Sequence, residues 1–587
     1  MTTNMQSIIQ KLSSVLGDAF KEEGLEPTFG RVTFSDRPDL AQFQCNGAMA
    51  AAKAAKQNPR AVAEKIIARL QANEIFEKLE IAGPGFINLT LKDNVLSEHV
   101  SAIASDSKSG AVDLSKSETV ILDYGGPNIA KAMHVGHLRA AIIGESLKRA
   151  FKFAGFNALG DVHMGDWGTH IGMLLNDYIK SGESDFVLNL DLSDPAQVQQ
   201  LFDDMGERYP RASAAAKENE TLKAEAQEAT LKTQNGESPY IDMWKKVREV
   251  SVLAMKKNYG LLNVEFDLWK GEADVHHLIA PMVADLQKRG FAVEDQGAVI
   301  VPVKKNDDTK EYPPLILYKR DGAVMYGTTD LATLVERMEL YKPSRVVYVV
   351  DQRQHLHFEQ VFRAAKMTGI VPENVELTHA GFGTMNGTDG KPFKTRAGGV
   401  MKLEDLIEMG IAKAHERLKE AGLDKDIPAD ELNDIAHKVA VAAIKFADLS
   451  NNRIADYVFD LDRLTRFEGK TGPYLLYQAV RIKSLLEKAG DTAGSDIILD
   501  ENTKSLALVL SAFPEAIEAT LRNYTPHVLC DHAYKLAQEF SAFYAKVHIL
   551  SENDTQKRNS LIKLCQAVYH QLEQTLDLLG INVPKRM

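Results

Sequence analysis

Cysteine is scarce in this 587-residue chain: Cys45, Cys530 and Cys565 are the only three, and none sits in a Cys-x-x-Cys pair. That excludes a disulfide framework and a cysteine-rich zinc site. Long apolar runs are also missing. Arg345 to Val350 is typical of the longest, far short of the ~18 residues of a membrane helix, so no membrane partner is expected. The opening residues lack the basic start and continuous apolar stretch of a secretion signal, which points to the cytoplasm. Basic charge is not in excess either: 69 Lys+Arg against 81 Asp+Glu leave a formal −12. The acidity is uneven. Residues 1–110 carry 12 basic and 13 acidic side chains, and residues 467–587 carry 13 and 14, so each end holds −1 and the middle −10. Near-neutral ends leave room for basic faces that could meet a polyanion.

What is present is globular composition, 44% hydrophobic and 26% charged, in a length that allows about three to five domains. Residues 1–110 read as an α+β unit: a helix from Ile8 to Phe20, strand signals at Val32, Phe34 and Phe43, helices from Ala48 to Lys56 and Ala61 to Leu70, and a strand from Phe86 to Leu91. Polar residues from Ser105 to Ser117 read as a linker. In 111–385 a β-branched run, Thr119 to Tyr124, meets the turn Gly125-Gly126-Pro127, then a helix from about His134 to Phe153 that stops at Gly155. A second buried strand, Arg345 to Val350, precedes another helix. Such alternation predicts an α/β fold with a doubly wound parallel sheet. A polar helical insertion spans about 185–262, and Asp321-Gly322 predicts a hairpin over Leu315 to Gly327. Residues 386–466 read as a loop and connecting helices, and 467–587 as an all-α domain.

Three segments carry chemistry. In DYGGPNIAKAMHVGHLR, Asp123 to Arg139, two histidines three apart share one face of a helix start. The helix N-terminus and its N–H groups favour an anion there, and Gly136 leaves space for a flat ring. A second segment, GFGTMNGTDGKPFKTRAGG, has six glycines in nineteen positions with Lys391, Lys394 and Arg396. It reads as a mobile lid that brings positive charge to a phosphate, or else as a solvated loop. Third, Glu272, Tyr326, Asp330 and Gln354 are scattered acceptors and ring; Asp330 could equally be a helix cap and Glu272 a solvated turn residue.

The string PNIAKAMHVGHLRAAIIGESL resembles the HIGH segment of class I aminoacyl-tRNA synthetases, and in particular of arginyl-tRNA synthetases. The glycine-rich segment is similar to the KMSKS-type loop, with Thr395 where the second lysine would stand. HMGDWGTHIG is similar to a GDWGTQFG-like element, with His170 and Ile171 as departures, and Gly125-Gly126 replaces a serine-containing turn. GKTGPYLLYQAVRI and LLGINVPKRM resemble the anticodon-binding domain, and FQCNGAMAAAK the N-terminal tRNA-corner domain. The resemblance implies a class I Rossmann-like catalytic domain and arginine–tRNA ligase activity. It implies ATP as substrate with Mg²⁺, no tightly bound protein metal, L-arginine and tRNA(Arg) as partners, and a monomer. By the same resemblance His134, His137, Lys131, Lys391, Lys394 and Arg396 are catalytic. Gly136, Gly383 and Lys394 join the two histidines around ATP, and Lys131 takes the place of the missing loop lysine. Glu272, Tyr326 and Asp330 hold the guanidinium, which needs a planar, acceptor-rich pocket, with Asn128 and Gln354 at the amino-acid side. Tyr474, Tyr477 and Arg481 are expected to meet tRNA, as stacking on unpaired bases requires; for most aromatics of that segment, core packing is the stronger reading. Two rivals remain: another HxGH nucleotide-transfer enzyme, and a non-catalytic RNA-binding paralogue.

Overall fold

Residues 5–115, 117–391, 393, 401–490 and 496–587 are described by a computed structural model. The run Thr119–Tyr124 becomes strand β1, the pivot of a four-stranded sheet with β2 (Asn157–Asp161), β3 (Arg345–Val349) and β4 (Glu376–His379). The spatial order is β4-β3-β1-β2 and every pairing is parallel. The chain steps to one side of β1 and later to the other, so the crevice at a topological switch point opens beyond the carboxyl ends of β1 and β3. Helix α1 (Leu138–Phe153) follows β1, and nearly all its residues are buried. Gly144 lets α1 lie directly on β1, since a Cβ there would overlap the Tyr124 ring. Beyond β2 the edge continues as single bridges: Leu268 pairs with Asp161 and Gly271 with Met164.

Around this sheet stand α2 (Pro195–Glu218), which opens the helical insertion, α3 (Glu272–Lys288), α4 (Tyr326–Leu340) and α5 (His355–Met367). The expected hairpin at Asp321-Gly322 is only half realised. Leu315–Tyr318 pairs instead with Ala298–Val301, and the return leg is the single bridge Tyr318–Val324 before α4 begins at Tyr326. Met325, not Asp330, is the cap residue of α4, which overturns the helix-cap reading of Asp330.

A buried ion triad fastens α4 under the sheet. Arg337 Nη2 donates to Asp123 Oδ2 at 2.5 Å and to Asp161 Oδ2 at 2.8 Å, at the ends of β1 and β2. Asp123, Asp161 and His163 have the spacing of a metal site, yet the guanidinium occupies the place a cation would take. Breaking a buried pair by removing one partner costs about 3–5 kcal/mol. Arg337→Met should therefore lower the urea midpoint strongly, and a midpoint within error of the parent would show the triad to be unnecessary.

The N-terminal sheet is antiparallel and contains a strand, Phe76–Ala82, that the sequence did not announce. Three charged, exposed side chains, Glu77, Lys78 and Glu80, interrupt its apolar residues, so no regular apolar alternation marks it. The helix Asp93–Ser105 was likewise not expected. The stretch read as a linker is pinned rather than free: Ser109 Oγ donates to Gln574 Oε1 at 2.7 Å. Gln574 lies on α8 (Thr555–Leu578), the last helix; before it come α6 (Ala429–Leu449) and α7 (Gly472–Ala489). The two ends of the chain touch, through Ser7 with Glu515 at 2.6 Å and Lys504 with Asp93 at 2.8 Å. Helix α1 meets the C-terminal helices too, through Arg149 and Asp577 at 2.9 Å. Among the described residues no helix is long and apolar enough to cross a membrane.

Candidate active site

The histidine motif does not begin α1 directly. His134 caps a single 3-10 turn, Val135–His137, and α1 starts after it. The two imidazoles lie one over the other with centroids 4.0 Å apart. His134 Nδ1 accepts from the Gly136 N–H at 3.0 Å, and His137 Nδ1 accepts from the His134 N–H at 3.1 Å. Each ring therefore carries its proton on Nε2, because a nitrogen that accepts from a backbone N–H is unprotonated. Burial, and then the neighbouring His134, push His137 down to about 4. Burial, and then Lys131, lower His134 as well. At neutral pH both are neutral N–H donors.

This corrects the anion site expected from the backbone. The N–H groups of His134 and Gly136 are engaged by the rings, that of Val135 bonds Met401 O at 3.0 Å, and that of His137 bonds His134 O at 2.9 Å. The available donors are ring Nε2–H groups. A flat ring does lie against Gly136: it is His134's own, 2.7 Å from where a Cβ would stand.

The carboxylates gather along the same edge of the sheet. Asn128 bridges to Gly165, and Met164 to Gly271, which puts Glu272 at the first position of α3. Glu272 is not a solvated turn residue. Burial raises its pKa to about 7, with Asp166 and Asp330 adding negative charge and His163 opposing them. Asp166 itself is fully buried, accepting from the Ala273 N–H at 2.9 Å and Arg248 Nε at 2.8 Å. A lone Asp in a Gly-Asp-Trp-Gly string gives no sign in the sequence that it docks the helix behind Glu272. A cleft of about 620 Å³ lies here, lined by Trp167, Gln234, Glu272, His276 and Tyr326 among others. Tyr326, 74% exposed, stands one turn before Asp330 on α4. Asp330 Oδ2 is 2.5 Å from His357 Nε2. Gln354 ends the short turn beyond β3 and is exposed, as is Asn128.

Lys131 lies with its Nζ 4.5 Å from the centre of the Tyr209 ring on α2, so the insertion reaches the histidine motif. His170 is close by: burial, then Lys131, lower it to about 4. The glycine-rich segment is tied at both roots. Met401 and Leu403 bond backward to Val135 and Met133, and Met385–Asn386 pairs with Tyr457–Val458. Lys391 is exposed on the turn closed by Gly387. Lys394, Thr395 and Arg396 lie outside the described residues. Gly383 packs on the segment after α6, where a Cβ would come 2.6 Å from Asp456 Oδ1. On α7, Tyr474 meets Tyr534 edge-on at 5.8 Å and Arg481 covers Tyr544 at 4.3 Å, while Tyr477 faces outward, 37% exposed.

Comparison with known proteins agrees along the whole chain. Residues 99–461 match the family model described as tRNA synthetases class I (R), catalytic domain. Residues 475–587 match the DALR anticodon binding domain, and 6–91 the arginyl tRNA synthetase N terminal domain. The chain is 47% identical over 592 residues to an arginine–tRNA ligase of Hyphomonas neptunium, covering 99% of this chain and 100% of that protein. It is 45% identical over 603 residues to the one of Alkaliphilus oremlandii, with the same coverage. Its fold matches the arginyl-tRNA synthetase of Plasmodium falciparum with a TM-score of 0.81 at 25% identity, covering 100% of both chains. The Thermus thermophilus arginyl-tRNA synthetase has the same fold, with a TM-score of 0.81 at 22% identity, covering 99% of this chain and 100% of that one.

Proposed function

The chain belongs to the arginine–tRNA ligases, class I enzymes that charge tRNA with arginine at the expense of ATP, and from that premise we propose how its own residues divide the work. An arginine carboxylate oxygen attacks the α-phosphorus of ATP in line. The new C–O–P link forms as the bond to the β-phosphate breaks, and pyrophosphate leaves. A hydroxyl of the terminal adenosine of tRNA(Arg) then attacks the adenylate carbonyl and AMP departs. His134 and His137 donate from Nε2 to the phosphate oxygens as charge builds there. Lys131 and the cations of the 391–396 loop hold the leaving pyrophosphate, and Mg²⁺ arrives on the triphosphate. Glu272, Asp330 and Tyr326 receive the guanidinium, with Asn128 and Gln354 on the amino-acid side. Tyr474, Tyr477 and Arg481 belong to the tRNA-binding face. Of these, outward-facing Tyr477 is the one free to stack on a base. The enzyme acts as a cytoplasmic monomer.

The observation that carries this reading is the pairing, along one sheet edge, of two neutral imidazole donors with half-buried carboxylate acceptors. The test is pyrophosphate exchange with ATP and L-arginine, with and without tRNA, against lysine and glutamine. Exchange with arginine alone among the three is expected. Equal exchange with lysine would discard the Glu272/Asp330 pocket, and no exchange under any condition would favour an RNA-binding protein without catalysis.

Glu272 also sets a pH dependence. A bound guanidinium favours the carboxylate, and in the empty site that carboxylate is held near pH 7 by burial, Asp166 and Asp330, with His163 opposing. Arginine should bind more weakly as the pH falls through this value. The expected rise in KM for arginine is about tenfold from pH 8 to pH 6, as a one-proton requirement dictates. The KM for ATP serves as the control, and an identical slope for both substrates would remove Glu272 from the explanation.

A further inference from the structure

Asp330 does not face the arginine pocket with a free carboxylate. Its Oδ2 is bound to His357 Nε2 at 2.5 Å, and among the described residues this is its one side-chain hydrogen bond. His357 sits in the first turn of α5, three residues after Gln354, while Asp330 is one turn into α4 after Tyr326. The bond therefore links the two elements from which the arginine pocket is proposed to draw its ligands. The imidazole is itself held: it packs edge-on against Phe358, centroids 5.3 Å apart at 77°.

A carboxylate on a helix turns freely about χ2, a broad torsion with little preference of its own. A free Asp330 could offer either oxygen, at many angles, to a compact ammonium or a planar guanidinium alike. With Oδ2 engaged, Oδ1 is left in a defined direction, and a planar fork of fixed donors profits from that more than a point charge does. Burial works against a charged imidazole, yet the hydrogen bond to Asp330 keeps His357 above its ordinary pKa.

We propose that His357 is a positioning residue for arginine selection, one that fixes the Asp330 carboxylate and ties its helix to the segment bearing Gln354. This rests on Asp330 being a guanidinium ligand, so the test treats the two claims separately.

The experiment is steady-state charging of tRNA by the full-length enzyme and its variants His357→Ala, His357→Gln, Asp330→Asn and the double variant His357→Ala/Asp330→Asn. KM for arginine, KM for ATP and kcat are read, together with inhibition by citrulline, the neutral urea isostere, and by lysine. For His357→Ala the KM for arginine should rise about tenfold, the scale of one charge-assisted hydrogen bond, with kcat and the KM for ATP within about twofold. Inhibition by lysine should strengthen relative to arginine binding. Glutamine can bring an amide N–H close to the position of Nε2, so His357→Gln should recover most of the loss. In the Asp330→Asn background His357→Ala should cost little more, since the two act as a unit. If Asp330→Asn leaves arginine binding intact, the pocket assignment fails. If Asp330→Asn weakens it while His357→Ala does not, the positioning role alone fails. Equal rises in both KM values, or no recovery with glutamine, would reduce His357 to a packing residue.

Discussion

Replacing His137 with alanine should slow arginyl-adenylate formation by about 10²-fold or more, the scale of losing one preorganised donor to a developing negative charge. The effect is expected to be large because His137 has two tasks. In the proposed mechanism its Nε2–H donates to the phosphate, and its Nδ1 accepts from the His134 N–H at 3.1 Å. Without it that backbone group loses its partner, and the His134 ring, tilted against it with centroids 4.0 Å apart, loses its support. Glutamine at 137 can present an amide N–H near the place of Nε2, so His137→Gln should be less damaging than alanine. The measurement is a single-turnover rate with saturating ATP and arginine. A change under threefold in the alanine variant would remove His137 from the phosphate. Raising the pH should not mimic the substitution, because the ring already titrates near 4 and is neutral throughout the working range.

Glu272→Gln and Asp330→Asn should each raise the KM for arginine by roughly 10–150-fold, since hydrogen bonds to a charged partner contribute about 1.5–3 kcal/mol. Both changes are nearly isosteric, so they remove charge and leave shape. They differ in one consequence. Glutamine at 272 should also flatten the pH dependence of arginine binding, because the group held near pH 7 is gone. Asparagine at 330 should leave that slope in place but loosen His357. Titrating ATP at saturating arginine gives the comparison that decides. If the KM for ATP rises as much as that for arginine, the two carboxylates shape the whole crevice and do not form an arginine pocket.

Much of the fold was legible because local pattern and burial agree. Val120 to Leu122 and Val346 to Val349 are unbroken apolar, buried runs since strands of a parallel sheet are covered on both faces. Phe76–Ala82 was missed for the opposite reason, with charged, exposed Glu77, Lys78 and Glu80 breaking its apolar pattern. The turn at Asp321-Gly322 was correctly placed, but its outgoing leg was taken by a helix. Leu315 to Tyr318 had a better partner in Ala298–Val301, and pairing across that distance leaves no local signal.

The sequence by itself determined that a strand, a glycine turn and two histidines three apart stand at the edge of a parallel sheet. All the information for that lies within about twenty consecutive residues. It also pointed to Glu272, Tyr326, Asp330 and Gln354. Only the tertiary structure decided how those groups are set. The tautomers of His134 and His137 depend on which backbone N–H meets which ring nitrogen. The pKa of Glu272 depends on Asp166, more than a hundred residues earlier in the chain. Arg337 meets Asp123 and Asp161, and His357 meets Asp330, because α4 and α5 pack where they do. Charge, tautomer and hydrogen-bond direction are set by neighbours in space. A sequence names the residues of a site, but packing alone brings a distant carboxylate to within 2.5 Å of its partner.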